Sequence, residues 1–188
     1  MRRLWLWMLA WGLMLGFVWA QNTLTPDLQK QFDRAVQLAR AGKLKEAEPI
    51  LRSILHKRPQ FVPAHINLGL VYRLQNQYDK AAYHFRTAAK LNPKDPLPLL
   101  ELTRMALDRG KLDDAEGYLR TLRQRHPNHP EVAVLSGSLA MLRGQWKEAQ
   151  AEFQKAFRTR PNDFRIVYNL GVIAYQLENF PEAQRYME

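Results

Sequence analysis

The sequence contains no cysteine. That absence excludes a disulfide framework, a thiol nucleophile, a Cys-ligated zinc site, an iron–sulfur cluster and a lipid-bearing cysteine after the leader. It leaves the redox compartment open, because a thiol-free chain is at home on either side of a membrane. Also missing are a GxSxG elbow, a glycine-rich phosphate loop, an HExxH pair and paired catalytic carboxylates. No enzymatic activity, metal or cofactor is therefore expected. No strand-like alternation of apolar and polar residues competes with helical spacing. Acidic residues are scarce, 18 Asp plus Glu against 28 Lys plus Arg, for a formal net charge of +10. Hydrophobic residues at 46% and charged residues at 24% of 188 positions fit a folded globular or repeat protein rather than a disordered one.

The first twenty residues are a different material from the rest. Met1–Arg3 is a short positive head, and Leu4–Ala20 carries no charged or strongly polar side chain. Val18, Trp19 and Ala20 precede polar Gln21 and Asn22, placing small residues three before and one before a cleavage point. This is the pattern of a secretory signal peptide over 1–20. An uncleaved membrane anchor is the alternative, since 17 apolar residues lie at the low end of what spans a bilayer. A buried core helix would need packing partners for Trp5, Trp7, Trp11 and Trp19. The expectation is an exported chain, periplasmic or secreted, with residues 21–27 as a linker.

The remainder is one motif repeated. Ala47, Ala81, Ala115, Ala149 and Ala183 stand 34 residues apart, as do Pro59, Pro93, Pro127 and Pro161. A small residue recurs at Ala35, Gly69, Thr103, Gly137 and Gly171. A turn residue recurs at Gly42, Asn76, Gly110 and Gly144, with Glu178 as the exception, and a bulky one follows at Leu44, Tyr78, Leu112, Trp146 and Phe180. A further large column runs Leu51, Phe85, Leu119, Phe153 and Met187. Six aligned columns are beyond coincidence among ordinary amphipathic helices.

These residues resemble the tetratricopeptide repeat, a helix–turn–helix unit. Ala64–Pro93 lies close to the family pattern, with Leu68, Gly69, Tyr72, Ala81, Phe85, Ala88 and Pro93 in place. The resemblance implies an all-α, right-handed α-solenoid with repeats at 28–61, 62–95, 96–129 and 130–163 and a partial one at 164–188. Each column has a physical reason. The turn residue tolerates the left-handed conformation at a helix C-terminus. The small columns let backbones approach, and the bulky ones fill the space between successive helices. The prolines end the second helix of each repeat. Pro63, Pro96 and Pro130 sit near helix starts, where a missing donor does little harm. Pro49 is tolerable if its helix starts near Lys45, leaving the lost bond among unpaired first donors.

In this family the first helix of each repeat lines a concave groove that takes extended peptides or single helices. Carrying that face over gives Phe32, Val36 and Arg40, then Ile66, Asn67, Leu70 and Arg73, then Leu100, Arg104 and Leu107. Val134, Ser138 and Met141 follow, and then Tyr168, Asn169, Val172 and Tyr175. Such a surface suits another protein's apolar peptide or amphipathic helix carrying a carboxylate or two. Tyr168→Ala or Arg104→Glu is the expected way to weaken capture. The carboxylate clamp of some family cochaperones is not matched, because only Asn67 fits and Phe32, Val36, Leu97 and Glu101 occupy its other positions.

His126, Pro127, Asn128, His129 and Pro130 look like a metal tract but fall in a linker without an acidic partner at helical spacing. Arg120, Arg123 and Arg125 cluster at a second-helix end, where cations suit the helix dipole, rather than in a nucleic-acid stripe. The basic balance is compatible with weak contact to an anionic membrane or cell-wall surface. The last repeat stops within its second helix, so a longer natural chain, a covering partner or self-association through that end is expected. Two readings follow: an exported scaffold holding a partner segment in its groove, or a membrane-anchored assembly factor organising an envelope complex through its outer face and open end.

Overall fold

A computed structural model describes residues 24–188, and the signal-peptide reading of 1–20 lies outside them. Among the described residues there are ten helices and no strand. They are α1 Pro26–Arg40, α2 Leu44–Lys57, α3 Val62–Leu74, α4 Tyr78–Leu91, α5 Leu97–Asp108, α6 Leu112–Arg125, α7 Pro130–Leu142, α8 Trp146–Thr159, α9 Phe164–Gln176 and α10 Phe180–Met187. Helix α1 starts inside the segment read as a linker over 21–27. The Thr25 hydroxyl accepts from the Leu28 amide and Pro26 occupies the first helical position, so the chain is already capped and helical there.

The fold is an α-solenoid of helix–turn–helix repeats, and its helices fall into two compact bodies. One ends at Asn92 and holds α1–α4; the other, Pro93–Glu188, holds α5–α10. In the first, α2 packs on α1 and α3, and α4 on α3. In the second, α5 to α10 pack each on the next, and α5 also touches α7. No described helix is long and apolar enough to cross a membrane.

Each turn within a pair closes in the same way. Gly42, Asn76, Gly110, Gly144 and Glu178 all have positive φ, between 59° and 75°. The next amide reaches back to the third residue from the helix end, as in Lys43 to Leu38, Gln77 to Tyr72, Lys111 to Ala106, Gln145 to Ala140 and Asn179 to Ala174, at 2.8–2.9 Å. This pairing satisfies carbonyls that the helix end would otherwise leave open. The prolines end the second helices by a different route. The residues before them, Arg58, Asn92, His126 and Arg160, have φ from −131° to −141°. Proline disfavours the helical region in the residue it follows, so the chain turns extended there.

Pro49 departs from expectation. Helix α2 begins at Leu44, and the Ala47 amide already bonds to Lys43. Pro49 is therefore past the unpaired first donors, and the Lys45 carbonyl loses its i+4 amide. Both residues are exposed, so water can replace the bond.

The core lies between paired helices. Phe85 and Phe153 are fully buried, as are Leu51 and Leu119 in the same column. A Cβ on Gly69 would stand 2.8 Å from the Phe85 ring, and one on Gly137 would stand 2.6 Å from the Phe153 ring. Where the large column carries leucine, the small column carries Ala35 and Thr103 instead. Residue size is thus exchanged between the two columns.

Gly137→Ala should lower stability by about 1–2 kcal/mol, overpacking outweighing the gain of up to about 1 kcal/mol in helix propensity. Adding Phe153→Leu should recover most of that loss in thermal or urea unfolding. Glu178 bears a left-handed conformation without being glycine, so Glu178→Gly should raise stability by about 1 kcal/mol in the same assay.

Candidate functional site

The first-helix residues divide between the two bodies. In the first, Phe32 is half-buried against the Phe61 ring, edge-on at 5.2 Å, and Val36 is half-buried beside it on α1. On α3, Ile66 is buried, Leu70 and Arg73 are half-buried, and the Asn67 amide is turned onto the Pro63 carbonyl at 2.8 Å. Arg40 is exposed at the end of α1. Ile66 belongs to the helix interface more than to a surface, and so does Leu100 on α5, only 4% exposed.

The second body gathers more. Arg104 and Leu107 of α5, Val134, Leu135, Ser138, Met141 and Leu142 of α7, and Arg165 and Asn169 of α9 line a cavity of about 500 Å³. Val134 is buried at its floor and packs in the core with Phe153 and Ile166. Ser138 and Asn169 bond to backbone carbonyls one turn back, Val134 and Arg165, at 3.0 and 2.7 Å. Helix α9 also carries exposed aromatic residues. Phe164 and Tyr168 stack at 5.9 Å, Val172 is half-buried, and Tyr175 meets Phe180 edge-on at 5.6 Å.

Glu131, at the start of α7, is the electrostatic centre and was not singled out from sequence. Arg104 donates to its Oε2 at 2.7 Å and Arg160 to its Oε1 at 2.6 Å, while Arg165 stands at 3.8 Å. Arg104 also pairs with buried Glu101 at 2.6 Å, and Asp163 takes Arg165 at 3.0 Å and Arg160 at 3.5 Å. Burial pushes the Glu131 carboxyl up, but the bonds from Arg160 and Arg104 overcome it and hold the group below the usual glutamate range. Its contribution to stability is therefore present at neutral pH and lost only as pH falls through that lowered value. Asp163 is held down chiefly by its bond to Arg165.

The network corrects one expectation. Arg104 is not a cation waiting for a partner's carboxylate, because two glutamates already hold it. Arg104→Glu would set three carboxylates together, so loss of binding in that variant would not isolate the surface. Tyr168→Ala, at a side chain 50% exposed, is the cleaner probe. The linker histidines also have structural duties: the His129 ring caps α7 by accepting from the Glu131 amide at 3.3 Å, and His126 ends α6. No group of three or more metal-binding side chains converges among the described residues.

Repeated helical pairs joined by left-handed turns define a helical-repeat fold. Residues 72–139 match one tetratricopeptide-repeat family profile, and residues 32–96 and 135–186 match another of the same description. The chain belongs to the tetratricopeptide-repeat family, whose fold typically mediates protein–protein interaction and serves as non-catalytic scaffolding. A 79-residue stretch is 32% identical to cellulose synthase 2 operon protein C of Komagataeibacter xylinus, covering 42% of this chain and 6% of that protein. MamA of Desulfovibrio magneticus RS-1 superposes with a TM-score of 0.76 at 16% identity, over 88% of this chain and 93% of its own. YrrB, a TPR protein with an unusual peptide-binding site, superposes with a TM-score of 0.64 at 20% identity, over 83% and 80%. These low identities speak for the fold.

Arg104→Glu should cost about 2 kcal/mol of stability in urea unfolding at neutral pH, because it removes two charge-assisted bonds and adds repulsion beside Glu101 and Glu131.

Proposed function

We propose that the chain is an exported scaffold that holds a peptide or helix of a protein partner along its first-helix face. The observation that carries this reading is the cavity on α5, α7 and α9, together with the exposed Phe164 and Tyr168 on the same helix α9. Exposed aromatic side chains beside an apolar hollow are the usual anchors of a partner segment, since they bury much area with few rotamers to freeze. The polar atoms nearby are mostly engaged by their own chain. Affinity therefore comes from apolar contact, the rim cation Arg165 being held by Asp163 at 3.0 Å. The peptide-binding character of YrrB supports this use of the fold.

Export rests on the leader pattern of residues 1–20. The same segment favours a second reading, an anchored assembly factor of the cell envelope, because Leu4–Ala20 is long enough to approach a bilayer's apolar thickness.

Cross-linked capture from a bacterial envelope extract should recover a partner with the native chain, and Tyr168→Ala combined with Phe164→Ala should reduce its yield about tenfold while the helical signal is kept. Equal yield from both would sink the first-helix face as the binding surface. The mass of the mature N-terminus separates the two readings, Gln21 marking a released scaffold and Met1 in the membrane fraction an anchored one.

A further inference from the structure

The positive charge is not spread evenly. Residues 24–92 hold 12 Lys and Arg against 5 Asp and Glu, whereas residues 93–188 hold 14 against 13. In the second body many arginines are paired, for instance Arg123 and Arg143 both with Glu116 at 3.5 and 3.0 Å. In the first, Arg86 and Lys90 of α4 have no ion-pair partner among the described residues, and Arg52 of α2 has only a long contact with Glu48, 3.8 Å.

Part of this surplus stands at a cavity of about 710 Å³ on the second-helix face of the first body. Helices α2 and α4 form its walls and α3 its floor. Arg52 lies at its edge, and Arg86 and Lys90 follow lining residues Tyr83 and Thr87 by three positions on one face of α4. The wall on α4 is aromatic. Tyr83, 60% exposed, meets His84 edge-on at 5.1 Å, and His84 stacks on Tyr72 at 5.6 Å.

The hydrogen bonds fix the protons of this wall. His65 Nε2 faces the Pro59 carbonyl at 2.9 Å and so carries a hydrogen. In neutral His65 the other nitrogen, Nδ1, is then an acceptor, and His84 Nδ1–H donates to it at 2.9 Å. His84 is left with a bare Nε2, unpaired among the described residues and able to accept an amide. Burial, and next the neighbouring His65 ring, push His84 down to about 4, so the neutral arrangement holds at pH 7.

We propose that the hollow between α2 and α4 is a second docking site, taking an acidic protein segment whose aromatic side chain lodges against Tyr72, Tyr83 and His84 while its flanking carboxylates meet Arg52, Arg86 and Lys90. The cations decide the sign of the partner, and the aromatic walls decide that it carries a large flat side chain. A recess of this kind receives something protruding. A bilayer surface would instead call for apolar side chains projecting outward between the lysines and arginines. The site shares no residue with the first-helix face of the second body, so either can fail without the other.

The test uses the full chain and a labelled synthetic peptide in which one tryptophan is flanked by glutamates, read by fluorescence anisotropy. Binding should weaken at least about tenfold in Tyr83→Ala and again in Arg86→Glu/Lys90→Glu, and be unchanged in Tyr168→Ala. Replacing tryptophan by alanine in the peptide should also abolish it. Three results would overturn the site: equal binding by the variants, equal binding of the alanine peptide, or association only with phosphatidylglycerol vesicles. Tyr83, Arg86 and Lys90 are solvent-exposed, so their loss should leave the helical signal intact.

Discussion

Everything in this array depends on how closely the two helices of a pair can approach. That distance is governed by a small residue on the first helix meeting a large one on the second. At Gly137 and Phe153 the ring occupies the volume a Cβ would need. At Gly69 and Phe85 the arrangement is the same. The ring, fully removed from water, supplies on the order of 2–3 kcal/mol of transfer free energy, and only glycine leaves room for it. Neither half of the contact is useful alone, because the helix loses propensity at glycine and recovers it through the phenylalanine.

The columns were legible in sequence because each answers to a requirement of the backbone or of close packing. A left-handed turn wants glycine or asparagine, a helix stop wants proline, and a close approach wants a small side chain. Those requirements act locally, or at the repeat interval, and so leave a period. Pro49 shows the limit of such reading. Its tolerance among the unpaired donors requires a helix start near Lys45, and the start at Leu44 places it clear of them.

The site was less legible for a different reason. Helical spacing gives the direction of a side chain around its axis but not the depth to which a neighbour covers it. Ile66, Leu100 and Tyr168 stand at the same repeat position, yet the first two are buried and the third is half open to water. The Glu131 network left no periodic trace, since Arg104 lies 27 residues before the glutamate and Arg160 lies 29 after it. The His65–His84 pair, 19 residues apart, has no local signature either. The uneven charge between the two bodies could have been counted from the sequence, once the boundary near Asn92 was known.

The Glu131 network also bears on how the second body comes apart. A stack of repeats held only by neighbouring contacts can lose its terminal members one at a time. Arg104 belongs to the third repeat, Glu131 and Arg160 to the fourth, and Arg165 to the fifth, so one carboxylate binds three successive repeats electrostatically. Releasing any of them disturbs charges held by the other two. The ionic cluster thus lengthens the cooperative block, making fraying from the α10 side costlier than independent repeats would allow and keeping the surface on α5, α7 and α9 assembled as one piece.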